Sequence, residues 1–357
     1  MKKKIGYFVV AVIIMSVSAC NNTKSDSDMN EDNTVVEADT VDATNNFYDN
    51  AETYNLETNE LEILGEVANP GKVDFSALPL RTVIVKETLL DENGDKFVGA
   101  YRYDGYSLYD ILNHTKVEKK NADEFPPIID QYVEIENADG EKVVLSWGEI
   151  YYPNHLHEII IATKVMRIVP SKTNELWPLP EKSKLVVVSD LITERNISSP
   201  TKITVKSYEL DLEIVKGKDP MYSEEFSLFN NYEKFKTYTT QPEGYEEISL
   251  HTIFYGRGRG IHSTQPFTGI QLKYLVEDNF LLTKDALQKA LIVFSADDGY
   301  RCVYSYSEIC NRNDQADVLL LYRPDEINKG AFRIFPSCDF FSDRAVKCAM
   351  GMYYSEI

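Results

Sequence analysis

Asp139-Gly140-Glu141-Lys142-Val143-Val144-Leu145-Ser146-Trp147-Gly148-Glu149-Ile150 aligns without gaps on Asp298-Gly299-Tyr300-Arg301-Cys302-Val303-Tyr304-Ser305-Tyr306-Ser307-Glu308-Ile309, sharing Asp, Gly, Val, Ser, Glu and Ile. A duplication accounts for the match. Two shorter blocks keep the same order: Gly105-Tyr106-Ser107-Leu108 against Gly269-Ile270-Gln271-Leu272, and Arg167-Ile168-Val169-Pro170-Ser171 against Arg333-Ile334-Phe335-Pro336-Ser337. The chain therefore divides into one unit over residues 60–200 and a second over 201–357, each of ordinary domain length.

In both copies the Asp-Gly pair lies between apolar, β-branched or aromatic runs, which is a hairpin signal because glycine supplies the left-handed backbone of the turn. Strands are predicted at Leu61–Val67, Tyr132–Ile135, Lys142–Ser146, Ile159–Thr163 and Leu185–Val188, and in the second copy at Leu291–Ser295 and Cys302–Tyr306. Helical periodicity is confined to Ser107–Asn113, Leu272–Asn279 and Thr283–Lys289. The expected class is α+β, dominated by strands.

Upstream of the repeats, Lys2, Lys3 and Lys4 precede an apolar run from Ile5 to Val17, the pattern of a signal peptide and too short for a comfortable permanent span. The run ends in Val17-Ser18-Ala19-Cys20, which resembles a bacterial lipobox: residues 1–19 form the signal, and Cys20 becomes the acylated mature N-terminus. Such a chain is extracytoplasmic, in the periplasm or at the cell surface, and attaches to the membrane through lipid. Residues 20–59 read as a disordered acidic tether, since Asn21–Asn59 holds 10 acidic residues, 1 lysine, no glycine and no proline.

Charge and composition remove several functions. The 357-residue chain has 37 basic and 57 acidic residues, a net −20, and loss of Lys2, Lys3 and Lys4 takes it to −23. That sign repels phosphate backbones and excludes nucleic acid as a partner. An apolar fraction of 43% is that of a folded protein. No G-x-S-x-G elbow, P-loop or H-E-x-x-H is present, so hydrolase, NTPase and zinc-protease chemistry have no motif to rest on.

The most unusual stretch is Tyr255-Gly256-Arg257-Gly258-Arg259-Gly260-Ile261-His262, where alternating glycines admit close backbone approach and two guanidinium forks offer anion recognition. Arg257, Arg259 and His262 are the candidate ligand-binding residues, with Arg344 placed to complete an anion pocket. His155 and His157 at i, i+2 would share a strand face at a spacing usable by a metal, but no third ligand is evident and no metal is expected. Beyond Cys20 the cysteines are Cys302, Cys310, Cys338 and Cys348; an even count outside the cytoplasm favours disulfides, in one of three connectivities, over core thiols.

Together "GEVANPGKVDFSALP", "YDGYSLYDIL", the Asp-Gly hairpin and "RIVPS", repeated as "FTGIQLKYLV", "ADDGYRCVYSYSEI" and "FRIFPSCDFFSDRAVKC", resemble the molybdopterin-binding domain of the sulfite oxidase family over most of residues 60–357. The resemblance implies two tandem copies of that fold, with molybdopterin as the cofactor it allows. Family enzymes hold molybdenum through one cysteine thiolate on the strand before the G-x-x-L helix, yet Thr82–Tyr103 and Glu246–Phe267 contain no cysteine. The expectation is a non-catalytic, membrane-anchored binding module for a small anion, a pterin-like ligand or a partner protein. Two further readings stay open: an active molybdopterin-dependent oxidoreductase performing oxygen-atom transfer, and a structural or assembly lipoprotein.

Overall fold

Both Asp-Gly pairs do turn hairpins, with Gly140 at φ +84° and Gly299 at φ +80°. Each hairpin runs straight into a short helix, Trp147–Tyr151 or Tyr306–Cys310. Ser146 and Ser305 stop the strands: each accepts from the backbone N–H three residues on, while Glu149 and Glu308 reach back to the cap, two complete capping boxes. The structure, a computed structural model, describes residues 46–92 and 94–357, which form one compact unit. The expected signal sequence and acylation site at Cys20 lie outside the described residues. Among the described residues no helix is long and apolar enough to cross a membrane.

The architecture corrects the expected tandem α+β sulfite-oxidase fold. Four antiparallel or mixed sheets stand as blades of a propeller-like ring, and the helices are single short turns of chain between them. Sheet I carries Thr53–Asn55 and Lys184–Val187 on one side of Ile159–Arg167, then Gly94–Ser107 and Arg81–Asp91. Sheet II runs Gly71–Lys72, Glu62–Gly65, Pro200–Ser207, Gln131–Asn137, Lys142–Ser146. Sheet III repeats that order with Glu233–Tyr238, Phe226–Asn230, Ala349–Glu356, Ala290–Ala296, Arg301–Ser305, including the parallel pairing of its second and third strands. Sheet IV, Glu247–Leu250, Phe267–Gln271, Val318–Tyr322, Phe332–Pro336, repeats sheet I.

The strand orders recur, sheets I and II matching sheets IV and III, and the strand Pro200–Ser207, beyond the boundary expected at residue 200, belongs to sheet II. Strand interleaving explains why an α+β reading fails: the short strands belong to separate sheets, and too little helix exists to cover a sheet face. Instead the sheets cover one another. Val133, Ile135, Val143 and Leu145 of sheet II face Ile159, Ile161, Leu185 and Val187 of sheet I. Their alternates Tyr132 and Val144 pack against Leu291, Val293 and Val303 of sheet III, whose other face, Ile292, Phe294, Cys302 and Tyr304, meets Leu320, Phe332 and Ile334 of sheet IV. Strands buried on both faces lose polar alternation, which is why Ala290–Ala296 reads as one apolar run. Sheets I and IV meet through loops, as in the bridge between Asp190 and Arg312.

Two further expectations change. The acidic stretch through Asn59 is not all tether, because Thr53–Asn55 adds a strand to sheet I and Leu56 is buried in its apolar cover. Arg167 and Arg333 are not equivalent: Arg167 ends the strand Ile159–Arg167, the counterpart of Val318–Tyr322, whereas Arg333 lies in the next strand of sheet IV.

Candidate functional site

The two capping boxes meet where the copies meet, and each is locked by an arginine. Arg195, wholly buried, makes a bidentate pair with Glu149 (both 3.0 Å) and a second with Asp190 (2.7 and 2.8 Å). Arg344, also wholly buried, donates to Asp339 (2.6 and 2.8 Å) and pairs with Glu308 at 2.6 Å. Each arginine then crosses to the other copy: Arg195 donates to the Ser305 hydroxyl (3.1 Å) and Arg344 to that of Ser146 (3.3 Å). The Ser146 hydroxyl donates to Glu308 Oε2 at 2.6 Å.

These arginines belong to a repeat block that the sequence reading missed. Asp190-x-x-Thr193-Glu194-Arg195-x-Ile197-x-Ser199 matches Asp339-x-x-Ser342-Asp343-Arg344-x-Val346-x-Cys348, with charge and shape retained at each position. Ser199 and Cys348, non-glycine residues, both adopt positive φ, +60° and +50°. Asp and Arg five residues apart, recurring after the last strands of sheets I and IV, were the available signal.

Arg344 is thus removed from the expected anion pocket. Its guanidinium is held between Asp339 and Glu308, lies 4.3 Å from the Tyr304 ring centroid, and rests on Gly148, where a Cβ would sit 2.3 Å from Nη1. The other three candidates do come together, on a separate two-stranded hairpin, Phe254–Gly256 with Gly260–Ser263. Gly260 turns it at φ +74°, and the His262 ring lies against Gly256 and 5.3 Å from the Phe254 ring. Arg257, 59% exposed, pairs with Asp343 at 3.2 Å, and Arg259 is exposed. The Tyr255 ring lies tilted against those of Phe340 and Phe341, tying the hairpin to the Asp339–Arg344 loop.

His155 and His157 sit in a turn before Ile159, not on a strand, beside a groove of about 580 Å³ lined also by Thr82, Ile84 and Glu158. Burial lowers the pKa of His157 and raises that of Glu158. Ser107 and Asp110 approach the same ring nitrogen of His157, at 3.0 and 3.6 Å, so the carboxylate cannot relay through the imidazole to the hydroxyl as a nucleophilic triad requires. Among the described residues no group of three His, Cys, Asp or Glu side chains is placed to hold a metal ion.

All four cysteines are free thiols, each in its own surroundings, rather than disulfides. Cys302 faces the Arg344 carbonyl and Cys310 that of Lys273. Burial raises every thiol, Cys338 to about 12 and Cys348 to about 11, so they stay protonated near neutral pH. Molybdenum ligation needs a thiolate at the base of an open pocket, and these residues do not fit it.

No protein-family model matches the chain. No curated protein matches it either.

Proposed function

We propose that the protein is a membrane-anchored, extracytoplasmic binding module whose hairpin at Phe254–Ser263 captures an acidic segment of a partner protein. The observation that carries this reading is one of placement. Arg257 and Arg259 stand beside Ile253, Ile261 and Phe340, all more than half exposed, on a chain of net charge −20. Exposed aliphatic and aromatic groups beside guanidinium forks are the composition of a protein-binding hot spot, while a small anion bound there would remain in water, where its attraction is screened. The acylated Cys20 would hold this surface at the membrane.

Calorimetric titration of residues 21–357 with a Glu-rich peptide carrying leucine and phenylalanine tests the reading, with inorganic phosphate as the small-anion comparison. The peptide is expected to bind, with salt-dependent affinity, and R257E/R259E to weaken it at least tenfold. Equal binding by the variant, or saturable phosphate binding without peptide binding, would overturn it.

A further inference from the structure

We propose that the joint between the two copies is a proton-binding site, at which Glu308 holds a proton in the folded protein and releases it as pH rises, weakening the joint. The geometry is the starting point. Four carboxyl groups, Glu149, Asp190, Glu308 and Asp339, share two guanidinium groups, Arg195 and Arg344, in a region where each of the six side chains is less than a tenth exposed. If all were ionised, the cluster would carry two uncompensated negative charges away from water, an unfavourable arrangement that uptake of a proton relieves.

Glu308 is the member least well held. Glu149 receives a bidentate guanidinium and the Ser146 backbone N–H at 2.7 Å. The matching backbone bond to Glu308, from Ser305, is long at 3.4 Å; Oε2 is held by the neutral Ser146 hydroxyl at 2.6 Å, and Oε1 has an ion pair with Arg344 but no hydrogen bond of good geometry. Around it stand Arg344, Asp339 and Cys338 from the loop after sheet IV, Glu149 and Ser146 from the opposing hairpin and helix, Cys302 and Tyr304 from its own sheet, and Arg312 beyond its own helix. Arg195 and Asp190 complete the set across Ser305 and Glu149. Burial pushes the Glu308 carboxyl up to about 7, with Glu149 and Asp339 adding to the rise and Arg344 opposing it.

A carboxyl that binds its proton more tightly folded than unfolded stabilises the fold fully below its unfolded pKa, near 4.5, and loses that contribution as pH climbs through about 7. The test is urea unfolding of residues 21–357 from pH 5 to pH 8, comparing the native protein with E308Q, which keeps the capping box because glutamine serves at that position. The native unfolding constant is expected to rise at least about tenfold more over this range than that of E308Q. Parallel pH profiles would overturn the proposal. Infrared titration of the unmodified protein checks it without a variant: a protonated-carboxyl band that persists above pH 6 and vanishes by pH 8 supports it, and no such band above pH 6 refutes it.

Discussion

In the first copy the segment that fills the gap between the first two strands of its outer sheet is a continuous arm; in the second it is a detached hairpin. Arg81–Asp91 and Gly94–Ser107 stay paired from Arg81↔Gly105 to Asp91↔Gly94, and the arm is pinned on the Asp190–Arg195 loop. Thr88 and Thr193 exchange backbone and hydroxyl bonds at 2.8–3.1 Å, the Thr88 hydroxyl donates to the Leu191 carbonyl, and the Leu90 N–H donates to Glu194 at 2.8 Å. Glu247–Leu250 and Phe267–Gln271 pair over only four residues, after which the chain leaves to form the Gly-Arg hairpin. Asp343, the counterpart of Glu194, receives Arg257 rather than a backbone N–H. One slot has become a brace and the other a displayed surface, because backbone bonds immobilise an arm whereas an exposed ion pair is readily exchanged for a ligand.

The largest expected effects lie at the joint, where the copies are most alike. Replacing Arg195 or Arg344 by Met leaves two buried carboxyl groups without their cation, and each should cost about 3–5 kcal/mol in urea unfolding. The two should part company with pH: at pH 5 Glu308 already holds its proton, so R344M strands only Asp339 there but both carboxylates at pH 8, and it is expected to be milder at pH 5 than at pH 8, with a smaller change for R195M. Equal pH dependence of the two variants would break the asserted asymmetry.

Next come Gly148 and Ser307, which occupy the same place in the two helices. G148A drives a Cβ into the pinned Arg344 guanidinium and should cost about 1–3 kcal/mol, while S307A loses the 2.8 Å bond to the Leu287 carbonyl and a long one, 3.5 Å, from Asn311, for about 1 kcal/mol. If S307A proved the worse of the two, the packing of Arg344 over Gly148 would carry less than the geometry implies. The smallest differences separate brace from hairpin. T193A should cost about 1–2 kcal/mol by leaving the Thr88 N–H unpaired, and R257A no more than about 1 kcal/mol, as for an exposed pair. Comparable losses would mean that the hairpin is a structural part and not a displayed one.

Much of the local structure was legible. Asp-Gly turns, strand runs such as Lys142–Ser146 and the short helices follow from residues near one another in the chain, and the repeat at Asp139 and Asp298 announced the duplication. The third repeat block misled, since Arg167 and Arg333 fall on different strands: Arg-Ile-x-Pro-Ser is a strand-exit pattern that more than one strand can end in. The joint was hidden because Ser146 and Glu149 look like an ordinary capping box until Arg195 and Glu308 are brought to them from 46 and 162 residues away.

Residue order alone was enough to read hairpins, a basic loop in an acidic chain and a repeated pattern, since each depends on neighbouring side chains and backbone preference. Tertiary structure decided which strands share a sheet, that both faces of sheets II and III are covered, and that Arg344 turns inward while Arg257 and Arg259 stay in water. Those outcomes depend on non-local burial: an arginine is a binding group or a structural cation according to whether carboxylates from distant loops are folded against it.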